Sequence, residues 1–301
     1  MRRFVPLLLM MVFIFGCIGE SEEDFINEQN STSNSSGKIF TAHEWGVALY
    51  CDSSNSNYFT SRPKMRVLVK QPVIYFYNSP EEFKVRAEMD SINETYPEGG
   101  RNKFSVKWNV TNGGAMSANA MGINKGADLM PLDEVLKKLV NNESDLLEVD
   151  GKQTSFLYYE GETDWEEDSY FKGDYFYNDN GFDIYDVLVI KYDGSIANGK
   201  PVVSYFAVIE GGDRVGLDYN LTADEAQALL RKSLDGIGMK RMEKENFLAL
   251  WNDSIFFPNN TGFLQVFYRI PQSRASMFSE VDISPEPKVF NRYFFVLKEF
   301  S

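Results

Sequence analysis

The sequence predicts a mainly β protein of the α+β class: antiparallel, sandwich-like sheets with a short helical insertion before the last strands. Three observations lead there. Short runs rich in Val, Ile, Phe and Tyr recur along the chain, separated by Gly, Asn, Asp and Pro. Several of them alternate apolar with polar residues at period two, as Phe83-Lys84-Val85-Arg86-Ala87-Glu88-Met89 does, the pattern of a sheet with one wet face. Helical signals are few and fall mostly in the last third of the chain.

The elements are justified in chain order. Met1-Arg2-Arg3 is a positive n-region, and Phe4 to Phe15 is an apolar h-region too short to cross a hydrocarbon core roughly 30 Å thick as a helix. Ile14-Phe15-Gly16-Cys17 resembles the lipobox of prokaryotic lipoproteins, in which a small residue precedes a Cys that becomes the lipidated N-terminus. Residues 1–16 therefore read as a lipoprotein signal peptide and Cys17 as the lipidation site, an anchor that needs no spanning helix. Residues 17–38 hold almost no apolar side chains and cannot offset the entropy of ordering, which predicts a disordered tether. No Pro/Gly/Ser-rich linker interrupts residues 39–301, which read as a single β-rich extracytoplasmic domain.

Within that domain, strands are predicted over Val67 to Val69, Pro72 to Tyr77, Phe83 to Met89, Phe104 to Val110, Ser155 to Tyr159, Ile184 to Tyr192, Pro201 to Glu210, Gly262 to Ile270 and Val289 to Lys298. Asn180-Gly181 carries the signal of a hairpin turn. The interval from Asn112 to Met130 is the most loop-like. Pro131 opens a helix whose stripe is Leu132, Val135, Leu136, Leu139 and Val140. Thr222-Ala223-Asp224-Glu225 is a capping box, and its helix runs to about Leu234. A further helix spans Lys244 to Asn252.

Composition excludes several classes. The chain of 301 residues carries 44 acids against 30 bases, a net charge of -14, with no basic cluster longer than a dipeptide, so it does not read as a nucleic-acid binder. One His and two Cys cannot make a four-cysteine, paired Cys/His or three-histidine zinc site, and the sequence predicts neither a metal nor a cofactor. With Cys17 lipidated, Cys51 has no partner in its own chain and reads as a small half-buried apolar residue.

Two places carry residue types fit for chemistry. His43 and Glu44 are adjacent in Thr41-Ala42-His43-Glu44-Trp45-Gly46-Val47 and are candidates for acid/base work, but on a strand they point to opposite faces. The structural reading of His43 is a hydrogen-bonded ring beside a core Trp45. In the segment from Glu160 to Asp186, acids including Glu160 and Asp164 interleave with Tyr158, Tyr159, Trp165, Tyr170, Tyr175 and Tyr177, as in a sugar-binding or glycosidase cleft. Its structural reading is a solvated acidic loop between strands whose aromatics are core. Asn-x-Ser/Thr sequons at Asn93, Asn109, Asn142, Asn220, Asn252 and Asn259 of the domain, with two more in the tether, mark candidate N-glycosylation sites, and with a lipobox they suit an archaeal cell surface.

Three clusters then carry a resemblance. His43-Glu44-Trp45-Gly46, Pro72-Val73-Ile74-Tyr75-Phe76-Tyr77 and Phe156-Leu157-Tyr158-Tyr159-Glu160-Gly161, followed by Phe263 to Pro271 and Ile283-Ser284-Pro285-Glu286-Pro287, fall in one order. They resemble an uncharacterised family of exported prokaryotic proteins and lipoproteins that open with a His-Glu-Trp-Gly motif. Val47 stands where that family usually has Thr, and Glu160 where it often has Arg. The resemblance implies one long exported domain and no particular activity. The expected function is a lipoprotein anchored to the outer face of the cell membrane that binds or scaffolds a glycan or surface protein. The alternative is an extracellular glycan-acting hydrolase using carboxylates in 160–186.

Overall fold

A computed structural model describes residues 38–52, 65–115, 134–192, 201–257 and 264–300. The chain divides into Met1–Lys38 and a compact body, Ile39–Ser301. The signal peptide, Cys17, nearly all of the tether and Asn259 lie outside the described residues, as does the Cys51 side chain.

The body is mainly β, with antiparallel sheets and its two long helices placed before the last three strands. Its strands are β1 (Thr41–Asp52), β2 (Met65–Tyr77), β3 (Glu82–Glu88), β4 (Ser91–Tyr96), β5 (Gly100–Arg101), β6 (Ser105–Ala115), β7 (Asp145–Val149), β8 (Lys152–Thr154), β9 (Leu157–Trp165), β10 (Ser169–Lys172), β11 (Tyr175–Asn178), β12 (Ile184–Lys191), β13 (Val202–Ile209), β14 (Arg214–Gly216), β15 (Leu221–Thr222), β16 (Leu264–Arg269), β17 (Glu280–Ser284) and β18 (Val289–Phe300). The helices are α1 (Glu134–Lys138), α2 (Ala223–Gly236) and α3 (Arg241–Phe256), with a 3-10 turn at Gln272–Met277.

Nine strands form the central sheet in the order β15-β13-β12-β16-β18-β1-β2-β9-β4. A second sheet, β17-β3-β6-β7-β8 with β5 on β6, and a three-stranded sheet, β10-β11-β14, supply side chains to one face of it. That core includes Phe76, Phe83, Val85, Trp108, Tyr159, Phe176 and Phe294. The helices cover the other face, where Trp45, Tyr75, Phe247, Trp251, Phe267 and Phe295 are buried together. Residues alternate between the two cores along each central strand, as Val187 and Val189 against Leu188 and Ile190 do on β12. The central sheet thus lacks the wet face read from the alternation of β3. Strands covered on both sides become near-continuous apolar runs, and β12 is one.

Three further differences have local causes. β1 and β18 pair in parallel, Thr41 with Val289 through Asp52 with Phe300, because the first and last strands of the body enter the middle of the same sheet in one direction. Alternation reports which faces a strand buries, not the direction of its neighbour. Asn180-Gly181 does not close a hairpin: β11 pairs with β10 and β14, whereas β12 pairs with β13 and β16. The Asn178 side-chain amide instead faces the carbonyls of Phe182, Ile209 and Glu210 at 2.9 to 3.1 Å, and Asn180 Oδ1 accepts the Asp168 N–H at 3.1 Å. Asn178 ties the three-stranded sheet to the central one through the Ile209 carbonyl of β13. The β10–β11 hairpin turns at Gly173, whose φ of 59° favours glycine. Finally, the acidic segment after Glu160 is mostly strand rather than loop, since it supplies β10, β11 and most of β9.

Candidate functional site

β1 carries the His-Glu-Trp-Gly motif through the centre of the molecule, and period two sends its polar pair to opposite cores. His43 is 2% exposed on the helix-covered face. Its Nδ1 lies 3.1 and 3.0 Å from the two carboxylate oxygens of Glu243, and its Nε2 lies 3.2 Å from Asn291 Nδ2. Glu243 is itself fully buried, in the first turn of α3. It also accepts from the Tyr77 hydroxyl and from the Lys240 N–H at 3.1 Å. Asn141 donates to the Tyr77 hydroxyl at 3.1 Å. Burial, reinforced by the Glu243 carboxylate, pushes the Tyr77 phenol far above its ordinary value.

Glu44 faces the other core and is also fully buried. Arg292, next to Asn291 on β18, pairs with its carboxylate, and the Tyr159 hydroxyl of β9 donates to it. Arg292 Nη2 also donates to the Ser279 carbonyl and Oγ, both at 2.9 Å. Tyr159 and Ser279 Oγ are 2.7 Å apart. Tyr159 has one hydroxyl proton; with that proton on Glu44, Ser279 donates to Tyr159 and accepts from Arg292. Ser279 also lines a cavity of about 230 Å³, shared with Thr163 and the acids Glu88, Asp90 and Glu280. His43 and Glu44 are therefore neighbours in sequence but members of two separate networks, each oriented by residues far along the chain.

Glu160 and Asp164 share one face of β9 with Glu162, and each stands beside a cation of β2. Glu160 pairs with Lys70 and accepts from Tyr158 at 2.7 Å. Glu162 lies 3.1 Å from Arg66, and Asp164 lies 3.7 Å from the same guanidinium. The three acids are side by side on one strand in a ladder with two bases. Two more buried pairs complete the set: Lys298 with Glu167, which also accepts from Tyr268 at 2.8 Å, and Arg269 with Asp186 at 3.1 Å.

The aromatics of the acidic segment divide by strand face. Phe176 points into the core, whereas Tyr175 is 45% exposed. Tyr170 and Tyr177 stack with centroids 4.8 Å apart, and the Arg214 guanidinium lies 4.9 Å from the Tyr175 ring and donates to the Tyr177 hydroxyl at 2.9 Å. Among the sequon asparagines, Asn93, Asn109, Asn142 and Asn220 are exposed and Asn252 is half-buried on α3. Among the described residues no group of three or more His, Cys, Asp or Glu side chains could hold a metal ion.

Sequence reasoning singled out His43, Glu44, Glu160 and Asp164 but not their partners. Glu243, Tyr77, Asn291, Arg292 and Ser279 come from distant elements, and only the pairing of β1 with β2 and β18 brings most of them together. One local signal existed. Glu243 is the third residue of α3 and accepts the Lys240 N–H, the acceptor half of a capping box, although Lys240 makes no side-chain cap of its own.

No family model matches the chain, and no curated protein matches it. Solved structures with some similarity include the mu-homology domain of Fcho1 from Danio rerio with bound Eps15 peptide, at 9% identity and a TM-score of 0.36. The yeast delta-COP-I mu-homology domain complexed with Dsl1 WxWxV peptide matches at 6% identity and a TM-score of 0.27. Each comparison covers 89% of this chain and 98% of the other.

Proposed function

We propose that the chain is an exported lipoprotein, held at the outer face of a cell membrane through lipid on Cys17, whose β-rich body binds a glycan or a surface protein. The observation that carries the anchor is the succession of a positive n-region, a short apolar run, Gly16-Cys17 and a polar stretch that ends where the compact body begins at Ile39. The resemblance to exported proteins with a His-Glu-Trp-Gly opening supports the same reading. Binding rather than catalysis is favoured because His43, Glu44 and Glu160 are engaged by partners inside the body, while Asp164 lies exposed beside Arg66. Tyr175, 45% exposed, shares one face with Arg214 and the half-buried stacked pair Tyr170 and Tyr177, a surface able to stack on a ligand. The exposed sequons at Asn93, Asn109, Asn142 and Asn220 support glycosylation of the same body.

The anchor is tested by metabolic labelling with a radioactive lipid precursor. Label should enter the wild-type chain and disappear from Cys17→Ser; an unlabelled wild type, or label retained by the variant, refutes lipidation. The binding face is tested by applying the full chain to a glycan array, with Tyr175→Ala as the control that should lose whatever signal appears.

A further inference from the structure

The histidine network has a property that an anchored binding body does not require. Ionised Glu243 can only accept, and it faces three donors: the Tyr77 hydroxyl, the Lys240 N–H and His43 Nδ1. The Nδ1 proton is thereby fixed, and Nε2 is the acceptor that Asn291 Nδ2 approaches at 3.2 Å. With the Asn291 amide this way round the ring carries one proton; turned over, its Oδ1 accepts a proton on Nε2. In the one-proton state the Glu243 carboxylate is buried with hydrogen-bond dipoles and the N-terminus of α3 around it, and among the described residues no Lys or Arg lies within ion-pair distance of it.

We propose that His43 is a proton-operated clasp between β1 and the first turn of α3, tightened by acid. A second proton on Nε2 gives Glu243 a full counter-charge at 3.0 Å, and Asn291 turns its amide over so that Oδ1 accepts the new N–H. Because Glu243 also receives the Lys240 N–H, strengthening its hold on His43 fixes the start of the helix. The surroundings leave few competitors for the proton. Tyr75 and Tyr77 face the ring from β2, Asn291 and Tyr293 from β18, Glu243 and Asn246 from α3, and Asn141 from the loop after α1. Burial holds Tyr75, Tyr77 and Tyr293 protonated, so they do not titrate with His43. The nearby cations are Lys240, 5.3 Å from the Tyr77 ring, and Arg269, whose charge acts on Tyr293. Glu44 points to the opposite core.

His43 is the only histidine of the chain, so its imidazole gives a single set of ring resonances in the full-length protein. Proton-transfer state and helix protection can therefore be followed together, by NMR and by amide exchange corrected for intrinsic rates, between about pH 5 and 8. The clasp predicts that α3 amide protection falls as pH rises through the imidazole step, with the Asn291 side-chain amide signals moving on the same curve. His43→Gln abolishes the step. Glu243→Gln keeps an acceptor for Nδ1 but removes the counter-charge, so α3 protection no longer follows the imidazole signal. Protection in the wild type that ignores the imidazole step overturns the proposal, as does an unresponsive Asn291 amide or the same coupling in Glu243→Gln. If His43→Gln does not fold, the wild-type curves and Glu243→Gln decide.

Discussion

Arg292 and Glu44 are worth most as a pair. Glu44 is held by Arg292 and Tyr159, and Arg292 by Glu44 and Ser279, with the Glu44 carboxylate fully buried. Truncating one therefore costs more than the net worth of the pair. Arg292→Met leaves the buried Glu44 carboxylate without its counter-charge and should destabilise the body by about 3 to 5 kcal/mol. Arg292→Met with Glu44→Leu replaces both charges by apolar groups and should recover most of that loss. Urea unfolding of the two variants checks both outcomes, and a double variant no more stable than the single one would show that the pair itself stabilises the fold. The glycines behave differently from each other. A Cβ on Gly46 would meet the buried Phe294 ring edge at 2.9 Å and the Pro72 backbone at 3.3 Å, and overpacking of that kind costs about 1 to 3 kcal/mol. A Cβ on Gly161 would fall 2.0 Å from the Ser91 carbonyl oxygen, which is backbone of the paired β4 and cannot step aside. Gly161→Ala should thus be the more damaging substitution, with hydrogen exchange of the β4 amides the first observable to change.

At the scale of elements, legibility follows locality. The α2 start was readable because everything it needs lies within four residues: Thr222 Oγ1 accepts the Glu225 N–H at 3.3 Å, and Glu225 accepts the Thr222 N–H at 2.9 Å. Thr222→Ala removes one half of that exchange and should cost about 1 kcal/mol, seen as a lower urea midpoint without a change in slope. α3 was placed at Lys244 to Asn252 but runs from Arg241 to Phe256. Its buried face includes Glu243, Lys244 and Asn246 beside Phe247, Trp251 and Ile255, so a search for an apolar stripe starts too late and stops too early. The residues it missed at the start include Glu243, the partner of His43. The hairpin at Asn180-Gly181 failed for a related reason. Turn propensity is local, but Asn178 donates to the Phe182 carbonyl and to the Ile209 carbonyl of β13, and Asn180 is tied to Asn178 and Asp168, which no local signal announces.

For the whole molecule, the fold class followed from patterning, whereas the arrangement of charge did not. Reading His43 and Glu44 to opposite faces needed only the period of a strand; finding Asn291 and Arg292 beside them needed the parallel pairing of the first and last strands, and finding Glu243 needed the packing of α3 on that sheet. The same topology explains where the aromatic residues went. Tyr75, Tyr159 and Tyr268 are completely buried in the central sheet, and Tyr159 and Tyr268 each donate to a buried carboxylate. Burial drives the phenols of Tyr75, Tyr77, Tyr159 and Tyr268 far above their ordinary value, with neighbouring acids adding to the effect, while Tyr205 of β13 and Tyr219 before β15 are pushed up to about 12. The sign follows from linkage. The folded state holds these protons more tightly than the unfolded chain, whose tyrosines ionise near 10, so their contribution is fully present below that pH and is lost as pH rises through the folded values. The body should therefore lose stability steeply in alkali, beginning at about pH 10. Tyrosinate absorbance of the buried set should appear only together with the loss of strand signal in circular dichroism. Ionisation of the full set while the strand signal persists would mean that the buried phenols are reached by solvent in the native state, and the networks around Glu44 and Glu243 would then not be closed to water.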